Sequence, residues 1–136
     1  MNEVSNNKEQ AGTRWFIDLD WFQQNERSFF VLAQACLCPE CRERLKVDEE
    51  EVTDNDLLPA IKDCCSKVSG FITPNSPILE SVFRLFLANG NQPLDLKELG
   101  RQLGEGWGGS IYRISTESLY RLLCSDQYYG LSQVES

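Results

Sequence analysis

Apolar residues recur along the chain with two different periods, and the changes of period mark out its elements. In RWFIDLDWF, Trp15, Ile17, Leu19 and Trp21 alternate with Phe16, Asp18 and Asp20, which is the period of two of a half-buried strand. Asp20 is also placed to cap a helix. From Ser28 the period becomes helical: Phe29, Leu32, Ala33 and Cys36 fall at i, i+3, i+4 and i+7. Pro39 should stop that helix, leaving Cys36 on its buried face and Cys38 and Cys41 on the turn that follows. Residues 1–13 are polar and without period, so they are expected to form a disordered tail.

An acidic stretch, VDEEEVTDND, leads to a second helix over about residues 56–68, where Leu57, Leu58, Ile61, Cys64, Cys65 and Val68 form a broad apolar stripe. GFITPNSP then breaks regular structure with a glycine and two prolines. The chain therefore divides into a Cys-rich subdomain (14–70), a linker (71–76) and a second subdomain (77–136). In the second half, Ser76 as N-cap and Pro77 at the first helical position open a helix with Leu79, Val82, Phe83, Phe86 and Leu87 on one stripe, closed by Gly90. Asp95 and Glu98 stand in a capping-box relation ahead of Leu96, Leu99 and Leu103, with Gly104 as the stop. GEGWGG leads into a short strand, SIYRIS. Ser115 or Thr116 then caps a helix carrying Leu119, Leu122 and Leu123, and YYGL is a last strand. The fold class expected is mainly α with short β-strands.

At 136 residues, with 41% hydrophobic and 25% charged positions, the chain has the composition of a folded globular protein. Its longest mainly apolar run, Phe29 to Cys38, is too short to span a bilayer and lies too far inside the chain for a secretory leader, so a soluble, cytoplasmic protein is expected, with no membrane partner. Reduced thiols are the rule there, and closely spaced cysteines point to metal or redox chemistry rather than structural disulfides. The formal charge is −8 and no block is basic, which argues against a large electrostatic footprint on nucleic acid. The chain has no histidine, so the commonest general base and the His-activated nucleophiles are missing; this argues against an enzyme, and no small-molecule substrate is inferred.

Cys38-Pro-Glu-Cys41 is a C-x2-C knuckle, a spacing that lets one tight turn aim two sulfurs at a single ion. Without histidine, the other ligands must be thiolates or carboxylates. Cys64 and Cys65 complete a two-plus-two set; Cys36, Cys38 and Cys41 with one of the vicinal pair make a three-plus-one set. A bridge between Cys64 and Cys65 would be strained, because adjacent Cα atoms are about 3.8 Å apart and disulfides usually need about 4.4 Å or more. On a regular helix the two side chains point about 100° apart, so both can reach one ion only where the helix is distorted or ends. Zinc with four thiolates would be structural, since a closed shell leaves no position for water. An iron–sulfur cluster takes the same ligands. The alternative for each cysteine is a small buried hydrophobe, the role expected of Cys124.

Gly104, Gly106 and Gly109 fit G-x-G-x-x-G, but a helix precedes them and a strand follows, the reverse of the dinucleotide-binding context. Trp107 in that loop either tucks onto the core or anchors a partner. Asp18 and Asp20 share a strand face as paired carboxylates would, a pattern that solvated faces also produce. Asp48 to Glu51 reads as a solvated loop, or as a site for a hard cation.

Over residues 76–132 the three capped helices, the turn at Gly90 and the terminal strands resemble a winged-helix domain. The resemblance implies that the helix from Thr116 to Cys124 is the one that would read DNA, with Arg113 and Arg121 as its bases. Winged helices also bind proteins. The functional expectation is a non-catalytic, zinc-stabilised adapter or regulator, in a transcription-related setting by analogy, that binds a protein partner or DNA. The alternative is an iron–sulfur or thiol redox protein using the same cysteines.

Overall fold

A computed structural model describes residues 13–45, 52–68, 70–73, 76–105 and 115–134. These residues are mainly helical, with a small sheet of three strands. β1 (Arg14–Ile17) buries Trp15 and Ile17 on one face, as its alternation requires. It ends earlier than its period suggested, because Asp18 turns the chain into α1 (Leu19–Gln24): the Asp18 carboxylate accepts the Asp20 N–H at 3.0 Å, capping the helix. Leu19, expected on the buried strand face, is 38% exposed. Asp18 and Asp20 are thus a cap and a first-turn acid, not paired carboxylates on one strand face.

Ser28 caps α2 (Phe29–Gln34) by accepting the Val31 N–H at 3.2 Å, and Phe29 and Ala33 face the core. The helix stops by itself at Ala35. Pro39 opens the next one, α3 (Pro39–Leu45). α4 (Asp54–Asp63) starts at Thr53, whose N–H the Asp56 carboxylate accepts at 2.8 Å, and buries Leu57, Ala60 and Ile61. It ends sooner than the stripe implied: Cys64 leaves helical geometry at φ −127°, a 3₁₀ turn (Cys65–Lys67) follows, and Val68 is 45% exposed.

Phe71 and Ile72, both in the expected linker, are buried. α5 (Ile78–Ala88) has Pro77 in the cap position, one residue later than the expected Ser76 cap and with no side-chain cap, and is the central helix, with Val82, Phe83, Leu85, Phe86 and Leu87 all enclosed, more than one stripe. Gly90 at φ +77° turns the chain sharply away from it. β2 (Leu94–Asp95) precedes α6 (Leu96–Glu105), whose Glu98 N–H donates to the Asp95 carboxylate at 2.8 Å. α7 (Thr116–Ser125) is capped by Ser115, and the last strand, β3 (Leu131–Gln133), starts where YYGL ends: Tyr128 and Tyr129 lie in the bend before it, and Gly130 follows at φ 67°. Gly104, expected to stop α6, lies inside it, since the helix runs on to Glu105; the rest of the loop GEGWGG (106–109), the strand expected at SIYRIS up to residue 114 and the acidic run Asp48 to Glu51 lie outside the described residues.

The sheet order is β2-β1-β3, antiparallel throughout, with Trp15 opposite both Leu94 and Gln133 and Ile17 opposite Leu131. A strand from the first half therefore sits between two strands of the second, and one apolar cluster runs from Trp15 to Leu131. α2 and α5 both pack on α4, so the end of α4 is held beside the start of α3.

Candidate metal centre

The local chemistry of CPEC places the first two sulfurs. Pro39 takes the first helical position, where its missing N–H is not needed and its fixed φ suits the helix. Cys38 therefore stands in the cap position and Cys41 in the first turn. The Cys38 carbonyl accepts the Arg42 N–H at 2.9 Å, and the Cys38 sulfur takes the Cys41 N–H, the role an oxygen plays in an ordinary cap. Expecting a helix stop at Pro39 inverted the punctuation: this proline begins a helix.

The other two sulfurs come from the abrupt end of α4. Had the helix continued, Cys64 and Cys65 would diverge. Instead the chain tightens at Cys64 into the 3₁₀ turn, which brings the Cys64 sulfur into one group with those of Cys38 and Cys41 and sets the Cys65 sulfur, outside that group, against Cys38. The sulfurs of Cys38, Cys41 and Cys64 all lie within 4.8 Å of one another, an arrangement that could hold a metal ion. The Cys38 and Cys64 sulfurs are 4.0 Å apart. The Cys65 sulfur lies 3.4 Å from that of Cys38 and accepts the Cys38 N–H at 3.2 Å. Cys41 and Cys65 are enclosed, at 0% and 1% exposure, while Cys38 and Cys64 are partly open to solvent.

The thiols differ in proton affinity for visible reasons. The Cys41 N–H, with further hydrogen bonds from the neighbouring thiols and against the effect of burial, lowers Cys38 to about 7. Burial pushes Cys41 up to about 11, and the hydrogen bond to Cys41 foremost raises Cys64 to about 11. Burial also raises Cys65. Cys38 is thus the sulfur most nearly ionised at neutral pH, the form in which a thiol binds metal. A bound cation deprotonates its thiol ligands outright.

Cys36 is placed apart from this group. Its thiol donates to the Leu32 carbonyl at 3.6 Å, and burial raises it to about 11. Cys124, expected in the core, is exposed: α7 buries Leu119 and Leu123 and turns Cys124 outward. Arg121 is exposed and paired with Glu117 one turn earlier at 3.4 Å. Trp107 and Arg113 lie outside the described residues.

Comparison of the chain with protein-family models, with curated proteins and with solved structures gives no match. The site stands on its geometry.

One contributor was missed in the sequence. The Arg44 guanidinium donates to the Cys41 sulfur at 3.3 Å. The signal was there: Arg44 follows Cys41 by three residues, and on a helix such residues are neighbours. Among the described residues no helix is long and apolar enough to cross a membrane.

Proposed function

We propose that this chain is a non-catalytic, zinc-stabilised adapter or regulatory protein of the reducing cytoplasm. Its metal ligands are Cys38, Cys41, Cys64 and Cys65, and its partner is a protein bound by the winged-helix-like part from α5 to β3. The convergence of the knuckle with the end of α4 carries the reading. For a Zn–S bond of about 2.3 Å, the edge of a tetrahedron of sulfurs is about 3.8 Å. The Cys38–Cys65 and Cys38–Cys64 separations of 3.4 and 4.0 Å bracket that value. A cluster with bridging sulfides would hold its thiolates farther apart. Four thiolates close the shell, so the ion is structural. Its ligation, on the order of 10–16 kcal/mol in isolated zinc modules, rivals the about 5–15 kcal/mol stability of a whole domain.

A protein partner is favoured over DNA by charge. The chain carries −8, and Arg121, the described base on the helix that would enter a groove, is engaged with Glu117. Among the described residues, helix, strand, helix, helix, strand from α5 to β3 supports the winged-helix likeness, with the central strand of the sheet contributed by residues 14–17.

Metal analysis of anaerobically purified protein is the test. One zinc per chain in a colourless sample agrees with the proposal; iron with visible absorption replaces it with the iron–sulfur or redox reading. Binding to duplex DNA at low salt that weakens on Arg121→Ala would move the partner from protein to DNA.

A further inference from the structure

The four sulfurs are not equivalent in reach. Cys38 is partly open to solvent, whereas Cys65 is 1% exposed and its sulfur lies 3.4 Å from that of Cys38. The Cys38 N–H donating to the Cys65 sulfur at 3.2 Å ties the two residues a second time. The vicinal pair itself is a poor disulfide, since its Cα atoms are held at about 3.8 Å. The Cys38 to Cys64 separation is longer, at 4.0 Å. We propose that Cys38 and Cys65 form an oxidation site for hydrogen peroxide, an attacking and a resolving thiol whose disulfide expels the bound metal. This rests on the metal reading above and adds a control over it.

The chemistry balances without a further reagent. The Cys38 sulfur attacks one peroxide oxygen, the O–O bond breaks, and one water leaves, giving a sulfenic acid. The Cys65 sulfur attacks that sulfur, the S–S bond forms, and the hydroxyl leaves as a second water. Two thiols and one peroxide become one disulfide and two waters. Where the sulfurs begin as metal thiolates, the two protons come from solvent. The contraction from 3.4 Å to a bond of about 2.05 Å removes two of four ligands, and a zinc ion left with Cys41 and Cys64 loses its closed shell.

The experiment uses the full zinc-loaded chain in a Cys124→Ser background, which removes the exposed thiol that would otherwise link chains. One equivalent of hydrogen peroxide is added, zinc release is followed with a chromogenic chelator, and the linked peptides are mapped by mass spectrometry. The expected result is loss of two thiols per zinc released, with Cys38 joined to Cys65 and Cys36 still reduced. In Cys65→Ser, tested without zinc and with a second equivalent of peroxide because the further oxidation consumes one, Cys38 should instead progress to sulfinic acid, with no disulfide joining it to Cys36. Zinc released with a different pairing, or Cys38 oxidised alone in the parent while Cys65 stays a thiol, overturns the proposal. A chain that takes up no zinc overturns the metal reading and the release step, and the peptide map on that chain still decides the pair.

Discussion

The side chain of Asn91 pairs with the main chain of Ile17 through both ends of its amide: its oxygen accepts the Ile17 N–H at 2.8 Å, and its nitrogen donates to the Ile17 carbonyl at 2.9 Å. One residue thus does for the end of β1 what another strand would do. It can do so because Asn91 sits at φ 61°, a region asparagine tolerates better than most residues, after the turn at Gly90. Asn91→Ala should lose both bonds, leave two main-chain groups unpaired and add backbone strain, a cost of about 2–4 kcal/mol in chemical denaturation. Asn91→Gly removes the strain alone from that sum and should be about 1 kcal/mol less damaging. Equal losses in the two variants would show that the strain is not part of the effect.

Gly130 leaves no room for a side chain. It lies at φ +67°, its carbonyl accepts the Asp18 N–H at 2.8 Å, and a Cβ there would stand 2.7 Å from the Phe22 ring. Gly130→Ala should cost about 2–4 kcal/mol from overpacking and left-handed backbone together. Thermal unfolding would read it, and an unchanged midpoint would contradict the packing described for α1 against β3.

Removing the metal should uncouple α3 from the end of α4. Serine at Cys38, Cys41, Cys64 or Cys65 should each abolish stoichiometric zinc and lower the unfolding midpoint by more than 10 °C, as loss of several kcal/mol implies for a domain of this size. Cys36→Ser and Cys124→Ser should keep the full metal content. A Cys36 variant that loses zinc would restore the three-plus-one ligand set weighed from the sequence.

Arg44 donates to a ligand sulfur from outside the shell. Arg44→Ala should lower zinc affinity by roughly 10-fold, the lower range for outer-shell partners, with Arg44→Lys falling between the two. Chelator competition measures it, and parity of all three proteins would rule the contact out as a metal-tuning one.

Glu98 supplies a pH dependence in the acid range. Hydrogen bonds from Arg101 foremost, and from Gln102, hold its carboxyl at about 2 against an ordinary 4.5. A depressed folded pKa means stability that is fully present above about 4.5 and is lost as pH falls towards 2. Glu98→Gln should flatten that part of the stability profile and leave the profile above pH 5 parallel. The group is exposed, so the difference is a small one.

Much of the fold could be read directly, because caps and stops are local. Ser28, Asp95, Ser115 and Gly90 each act where their side chains or lack of one dictate. What escaped depends on partners distant in sequence. The length of β1 is set by Asp18, which can cap a helix or face solvent equally well until the rest is packed. That β1 would be the middle strand depends on Leu94 and Leu131, which no local period announces. The knuckle was legible as a spacing, but Pro39 has two opposite meanings at a helix boundary, and only the short stop of α2 at Ala35 decides between them. The geometry that lets both Cys64 and Cys65 approach Cys38 comes from a backbone change at Cys64 that the apolar stripe concealed.

Because β1 lies between β2 and β3, a nascent chain leaving the ribosome carries Trp15 and Ile17 without partners until Asn91 and Leu94 emerge, and with the β3 edge of β1 open until Leu131 emerges, over one hundred residues after Ile17. Closure of so long a loop slows folding, and the interval exposes two large apolar side chains to other polypeptides. The knuckle and the end of α4 are complete by Lys67, so ion capture can organise the early part of the chain while its first strand still waits for the last one.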